Sequence, residues 1–247
     1  MSCTELAGPG PGSGKELLRA NGRSAHQLRS MQCERGPLQR ADGSARWCQG
    51  GSVVLAAVHG PRGTASRKED PERAVVEIVF RPRSGLAGPA ERLAEATVRR
   101  TVEGVLIAAL HPRTAVTVVL QVLSEDGGLL ACALCAASAA LVDAAVPLAR
   151  TFVAATLAKT SEGVLLVDPD AAEEEAADAV ATLAFAARGE APGDVAPTLA
   201  DGVLACRSAG PLSDGDFLAA VDLGRAAARC VAVFARASLE KSLSALV

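Results

Sequence analysis

The chain has no tyrosine, one tryptophan and five phenylalanines among its 247 residues. Aromatics at 2 % exclude a surface that grips single-stranded bases by stacking, because that mode needs exposed rings. An excess of positive charge is missing too. Lysine and arginine total 25 against 28 acidic residues, a formal net charge of −3. That excludes a globally basic nucleic-acid binder. It leaves room for a local arginine strip, since phosphates are met by a patch and not by an average. No segment reaches the ~20 apolar residues that span a bilayer, so no membrane partner is expected. The first residues contain no apolar leader, and the seven cysteines are odd in number and scattered. Free thiols in a reducing compartment follow from that usage.

What the chain does have is an apolar content of 49 %, enough for a sizeable core. Residues 111–147 organise the rest. Residues 115–123 are rich in valine and threonine, which suit a pleated strand. Residues 124–128, SEDGG, form a turn, because Gly127 and Gly128 reach backbone angles that other residues avoid. Residues 129–142 carry no charge, and their alanines and leucines predict a buried helix. Such a turn aims backbone N–H groups and the positive end of the helix at an anion. Whether it holds one decides whether the protein is an enzyme.

Further strands are expected at 44–49, 52–59, 74–81, 152–159, 163–167, 179–187 and 203–207. Helices are expected over 90–110 and from a Ser213 cap to about residue 243. Asp42-Gly43 and Gly50-Gly51 read as hairpin turns, and 189–197 as a loop. Residues 1–27 are rich in Gly, Pro and Ser and read as a disordered tail, leaving one domain over 28–247. The run GPGPGSGK in that tail fails as a phosphate-binding P-loop. Pro9 stands where the first glycine is required, and Glu16 where Ser or Thr would bind magnesium.

The segments ADGSARW, GPRG, RPRSGLAGPAE, HPRT, VVLQVLSEDGG, LCAASAALVDAAVP and LLVDP follow one another in the order of the RNase PH family. The set resembles the ring subunits of the eukaryotic RNA exosome, from about residue 28 to the end. The resemblance implies an α+β fold, ribosomal protein S5 domain 2-like, with mixed β-sheets and two helices packed on one face. It also implies a ring of six such domains around an RNA channel. Cap subunits with S1 and KH modules would sit on one side, and a separate catalytic ribonuclease on the other. The implied locations are nucleus, nucleolus and cytoplasm. Active family members cleave RNA from its 3′ end by phosphorolysis.

In active relatives the glycine turn is followed by Ser or Thr and often Arg, which add charge-assisted bonds to phosphate. Here Leu129 and Leu130 follow Gly128 and offer no side-chain donor. Asp168 matches the family's general-acid aspartate, and Glu174 stands where a second, metal-binding carboxylate is expected. They are the vestigial catalytic candidates. The plainer alternative is that Asp168 ends a strand before Pro169 and that Glu173, Glu174 and Glu175 are solvated. Arg99 matches a family arginine associated with RNA, and Arg83, Arg92 and Arg100 lie on or just before the same helix. They either neutralise phosphates or pair with Glu91, Glu95 and Glu103 along an exposed face. Cys132-x-x-Cys135 lacks a second ligand pair and reads as core packing, and His26, His59 and His111 are isolated. No metal and no cofactor is expected. The reading is a catalytically silent ring subunit. Its rival is a magnesium-dependent or phosphorolytic 3′–5′ exoribonuclease using Asp168 and Glu174.

Overall fold

Alternation of inward and outward side chains builds the first half of the chain. A computed structural model describes residues 19, 21–63, 69–188 and 198–244. In it Met31–Arg35 (β1), Gly43–Gln49 (β2), Ser52–Gly63 (β3), Val75–Arg81 (β4) and Thr114–Ser124 (β5) form one sheet, in the order β1-β2-β3-β5-β4. In β3 every second residue from Ser52 to Gly60 is buried, the period of a pleated strand with one covered face. All its pairs are antiparallel except β4 with β5, which run parallel because helix Pro89–Val105 (α1) returns the chain between them.

The second half makes a four-stranded antiparallel sheet. Thr151–Lys159 (β6), Leu165–Val167 (β7), Ala179–Arg188 (β8) and Thr198–Ala209 (β9) pair in the order β7-β6-β8-β9. The uncharged helix Leu129–Asp143 (α2) lies between the sheets, packed on β2 and β3 from one and β6 from the other. A helix that is apolar all round must be covered all round, and every residue from Leu130 to Leu141 is buried. Helix α1 packs on β4 of the first sheet, so both helices cover that sheet's one buried face. The short helix Ala171–Glu175 (α3) follows β7, and Asp214–Ser244 (α4) closes the fold over β6 and β8. The Ser213 hydroxyl accepts the Asp216 N–H at 3.2 Å, the expected cap, and Asp216 pairs with Lys159 at 2.6 Å.

Three boundaries differ from the sequence reading. Helix α1 stops at Val105, because Leu106 turns extended to bridge Leu148, and a short 3-10 turn then covers Ala108–Leu110. Asp42-Gly43 is no hairpin turn. The Asp42 carboxylate accepts the Gly60 N–H at 2.8 Å and pairs with Arg62, bracing the far end of β3. The folded body also begins before residue 28, since Arg19 is buried and residues 21–27 pack beside it. The GPGPGSGK run and residues 189–197 lie outside the described residues.

The glycine turn sits at the junction of the two halves. Gly127 and Gly128 have φ of +71° and +61°. A Cβ on Gly127 would stand 2.6 Å from the Asp170 carbonyl carbon and 2.7 Å from the Pro169 oxygen, so the turn is pressed against the entry to α3. Gly127→Ala is therefore expected to lower stability by about 2 kcal/mol or more, combining left-handed strain with a backbone clash. Urea unfolding monitored by circular dichroism checks this, and an unchanged midpoint would refute it.

Candidate active site

Two chain reversals face each other across the site. On one side β5 ends at Ser124 and the glycine turn delivers the N-terminus of α2. On the other, β7 ends at Val167 and Asp168 takes φ +53°, a left-handed angle that a short polar side chain tolerates. Asp170 then caps α3. Its Oδ1 accepts the Glu173 N–H at 2.9 Å while Glu173 Oε2 accepts the Asp170 N–H at 2.9 Å, a reciprocal capping box. That cap aims Glu174 back at the turn. The Gly128 N–H donates to Glu174 Oε1 at 2.9 Å. The donor that would greet an external anion is thus already met by a carboxylate of the same chain.

Beneath the turn lies Arg29, which sequence reasoning did not single out. Its backbone N–H donates to Asp168 Oδ2 at 2.8 Å, and its Nε and Nη2 donate to Oδ1 at 3.0 and 2.7 Å. Nη2 also donates to the Gly127 carbonyl at 3.0 Å, and Nη1 to the Asp126 carbonyl. The two side chains are 6 % and 2 % exposed. Both carboxylate oxygens of Asp168 are therefore occupied. Arg19 and Arg23 strap the other side of the same corner. Arg19 donates to the Val167 carbonyl and pairs with Glu173 at 3.2 Å; Arg23 donates to the Asp168 carbonyl at 3.0 Å and pairs with Glu173 at 3.3 Å. Glu173 and Glu174 are accordingly structural partners and not a solvated run. The available signal was Arg19 and Arg23 at the end of what looked like a tail with Arg29 just beyond it, and a buried aspartate that needed a cation.

A cleft of about 600 Å³ opens over the turn, walled by Leu129, Leu130 and Phe80. Its charged lining is Glu91, Glu125, Glu174 and Glu175 against Arg207. Burial pushes the Glu174 carboxyl above the ordinary glutamate range, while the Gly128 N–H and Arg29 pull it back. Among the described residues, no group of three or more His, Cys, Asp or Glu side chains is arranged to hold a metal. Cys132 and Cys135 are fully buried on α2, their thiols near the Trp47 and Ala154 carbonyls, and burial raises Cys135 to about 12. His111 ends the 3-10 turn that leads into β5.

The structure brings Asp168 and Glu174 together around Gly128, but Arg83, Arg92, Arg99 and Arg100 are not part of the cleft lining. All four are exposed, and none forms an ion pair among the described residues. The alternative pairing with Glu91, Glu95 and Glu103 is not made among the described residues, and Glu91 and Glu95 serve the backbone instead. Glu91 accepts the Gly88 N–H at 2.7 Å, and Glu95 the Phe80 N–H at 2.9 Å. Arg92 and Arg99, seven residues apart, share the face opposite Ala94, Val98 and Val102.

The sequence model of the 3′ exoribonuclease family, domain 1, matches residues 27–147. A protein of Oryza sativa subsp. japonica named exosome complex exonuclease RRP46 homolog is 37 % identical over 231 residues, 92 % of this chain and 97 % of its own. Its namesake in Arabidopsis thaliana is 35 % identical over 236 residues, 93 % and 98 % respectively. The crystal structure of rice Rrp46 matches with a TM-score of 0.79 at 36 % identity, covering 90 % of this chain and 100 % of that one.

Two outcomes are expected. Arg29→Met leaves Asp168 buried without its cation and costs about 3–5 kcal/mol of stability, read from the urea midpoint. Glu174→Gln keeps the acceptor for Gly128 and removes a charge that burial disfavours. A carboxyl raised in the folded state weakens folding once it ionises, so the variant should be the more stable protein at neutral pH. The difference should close as pH falls below the ordinary glutamate range. Thermal melts across pH check this; a wild type more stable than the variant at pH 7 would contradict it.

Proposed function

The chain belongs to the RNase PH family of 3′ exoribonucleases, and from that premise we propose that it is a non-catalytic ring subunit of an RNA exosome, the counterpart of the relatives named RRP46. Phosphorolysis requires inorganic phosphate held in line with the 3′-terminal linkage and a group that protonates the leaving oxygen. The observation that carries the silent reading is the Glu174 carboxylate on the Gly128 N–H, in the place a phosphate oxygen would need. Leu129 and Leu130 add neither hydroxyl nor guanidinium, and the carboxylates of the cleft repel an incoming phosphate. Asp168 is buried with both oxygens bonded to Arg29, which disfavours a role as an acid or in sharing magnesium with Glu174.

The exposed surface supports the ring role. Leu86 is 96 % exposed and Leu93 53 %, beside the unpaired Arg83, Arg92, Arg99 and Arg100. Large bare leucines suit contact with neighbouring RNase PH-like subunits, and the arginines suit phosphates of RNA passing without sequence preference. Subunits with S1 and KH modules cap such a ring, and a separate ribonuclease digests the delivered RNA. The protein works in nucleus, nucleolus and cytoplasm, wherever that assembly processes or decays transcripts.

The test is RNA decay by the purified chain with magnesium, with and without phosphate, alongside mass spectrometry of proteins bound to a tagged copy in cells. The expected result is no release of nucleotides and recovery of related ring subunits. Phosphate-dependent appearance of nucleoside diphosphates would overturn the proposal.

A further inference from the structure

The outward N–H and C=O groups of a sheet's last strand have no ladder partner, and such an edge recruits another strand unless something covers it. The two sheets have four edges, β1 and β4 on the first and β7 and β9 on the second. Three of them are met by the chain itself. The Ser238 hydroxyl donates to the Cys33 carbonyl on β1 at 3.4 Å. The Phe80 N–H on β4 donates to the Glu95 carboxylate at 2.9 Å, and the Val167 N–H on β7 to the Ala25 carbonyl at 2.9 Å. The fourth, β9, is the longest edge strand at twelve residues. From Gly202 to Ala209, no described residue outside the β8 ladder bonds its backbone.

The usual deterrents to pairing are missing from this stretch. GVLACRSA contains no proline and no lysine, and its one charge, Arg207, belongs to the cleft lining. A bulge at Leu204 bends the strand, but Ala205 to Ala209 pair in regular register with Ala184 to Val180. Five regular residues are a common strand length. Cys206, Ser208 and Ala209 are exposed, and β9 adjoins α1, which carries the exposed Leu93.

We propose that the outer edge of residues 205–209 is a docking surface for one strand of a neighbouring RNase PH-like subunit, so that the second sheet continues across the subunit boundary. The chemistry selects the partner. Alternating backbone donors and acceptors are matched by another extended backbone with an open edge, and not by a helix or an ion. Given the ring role proposed above, on which this assignment rests, the neighbour carries the same two-sheet fold and so the same kind of edge. A free peptide needs only the backbone row. A subunit also covers Leu93, and the apolar centre of a lasting contact calls for that.

Cys206 lies within the edge and is exposed, so its alkylation reports on cover. Tagged full-length protein is compared alone and in the assembly recovered from cells, by iodoacetamide labelling and by hydrogen exchange, each read by peptide mass spectrometry. In the assembly, exchange of the outward amides of 205–209 and alkylation of Cys206 should each slow by about tenfold or more. Cys132 and Cys135, buried in the fold, should stay unlabelled in both samples. A recovered ring in which Cys206 and these amides react as in the free chain overturns the docking surface and leaves the ring role standing. Protection that rises with the concentration of the purified chain alone puts a second copy on the edge and overturns it too. Failure to recover ring subunits overturns both.

Discussion

The ion pair between Arg29 and Asp168 holds the molecule's two halves in register. Arg29 precedes β1 at the edge of the first sheet, and Asp168 follows β7 at the edge of the second. Between them the guanidinium also bonds the Asp126 and Gly127 carbonyls, so one side chain ties three chain segments to a single corner. Removing both charges from water is costly, and the pair tolerates burial only because the carboxylate oxygens and the guanidinium face are met by directed bonds. The corner is not a generic core contact. It fixes where the glycine turn stands relative to α3.

That placement has a chemical consequence. With the turn pinned from below and α3 strapped by Arg19 and Arg23, the Glu174 carboxylate reaches the Gly128 N–H from inside the protein. A helix N-terminus attracts anions, and here the attraction is satisfied intramolecularly. The RNase PH-like fold is retained, with the Gly128 amide met by Glu174 and the Asp168 carboxylate met by Arg29. At the surface α1 presents Arg92, Arg99 and Arg100, which form no ion pair among the described residues, beside the exposed Leu93, features that support the proposed passage of RNA.

Much of this was legible in the sequence, for reasons that can be named. The strand, glycine turn and helix at 114–143 announced themselves because β-branched residues, paired glycines and an uncharged alanine-rich run each have one comfortable conformation. The missed elements lack such agreement. β1, MQCER, is a half-exposed edge of five residues with no β-branched side chain, and α3 is too short for periodicity to show. Asp168 and Glu174 were found through the family resemblance, but their roles were not, because those depend on Arg29, 139 residues from Asp168. A contact of that range leaves no local pattern. The extent of the tail was misjudged for the same reason: its arginines are ordered by partners far along the chain.

The central claim is that the Gly128 amide belongs to Glu174 and not to phosphate. Nuclear magnetic resonance of the isotopically labelled chain tests it at the atom concerned. The account predicts that the Gly128 amide resonance is indifferent to added phosphate and moves with pH as the Glu174 carboxyl protonates. A saturable phosphate-induced shift of that amide at neutral pH would show an open anion seat and contradict the account.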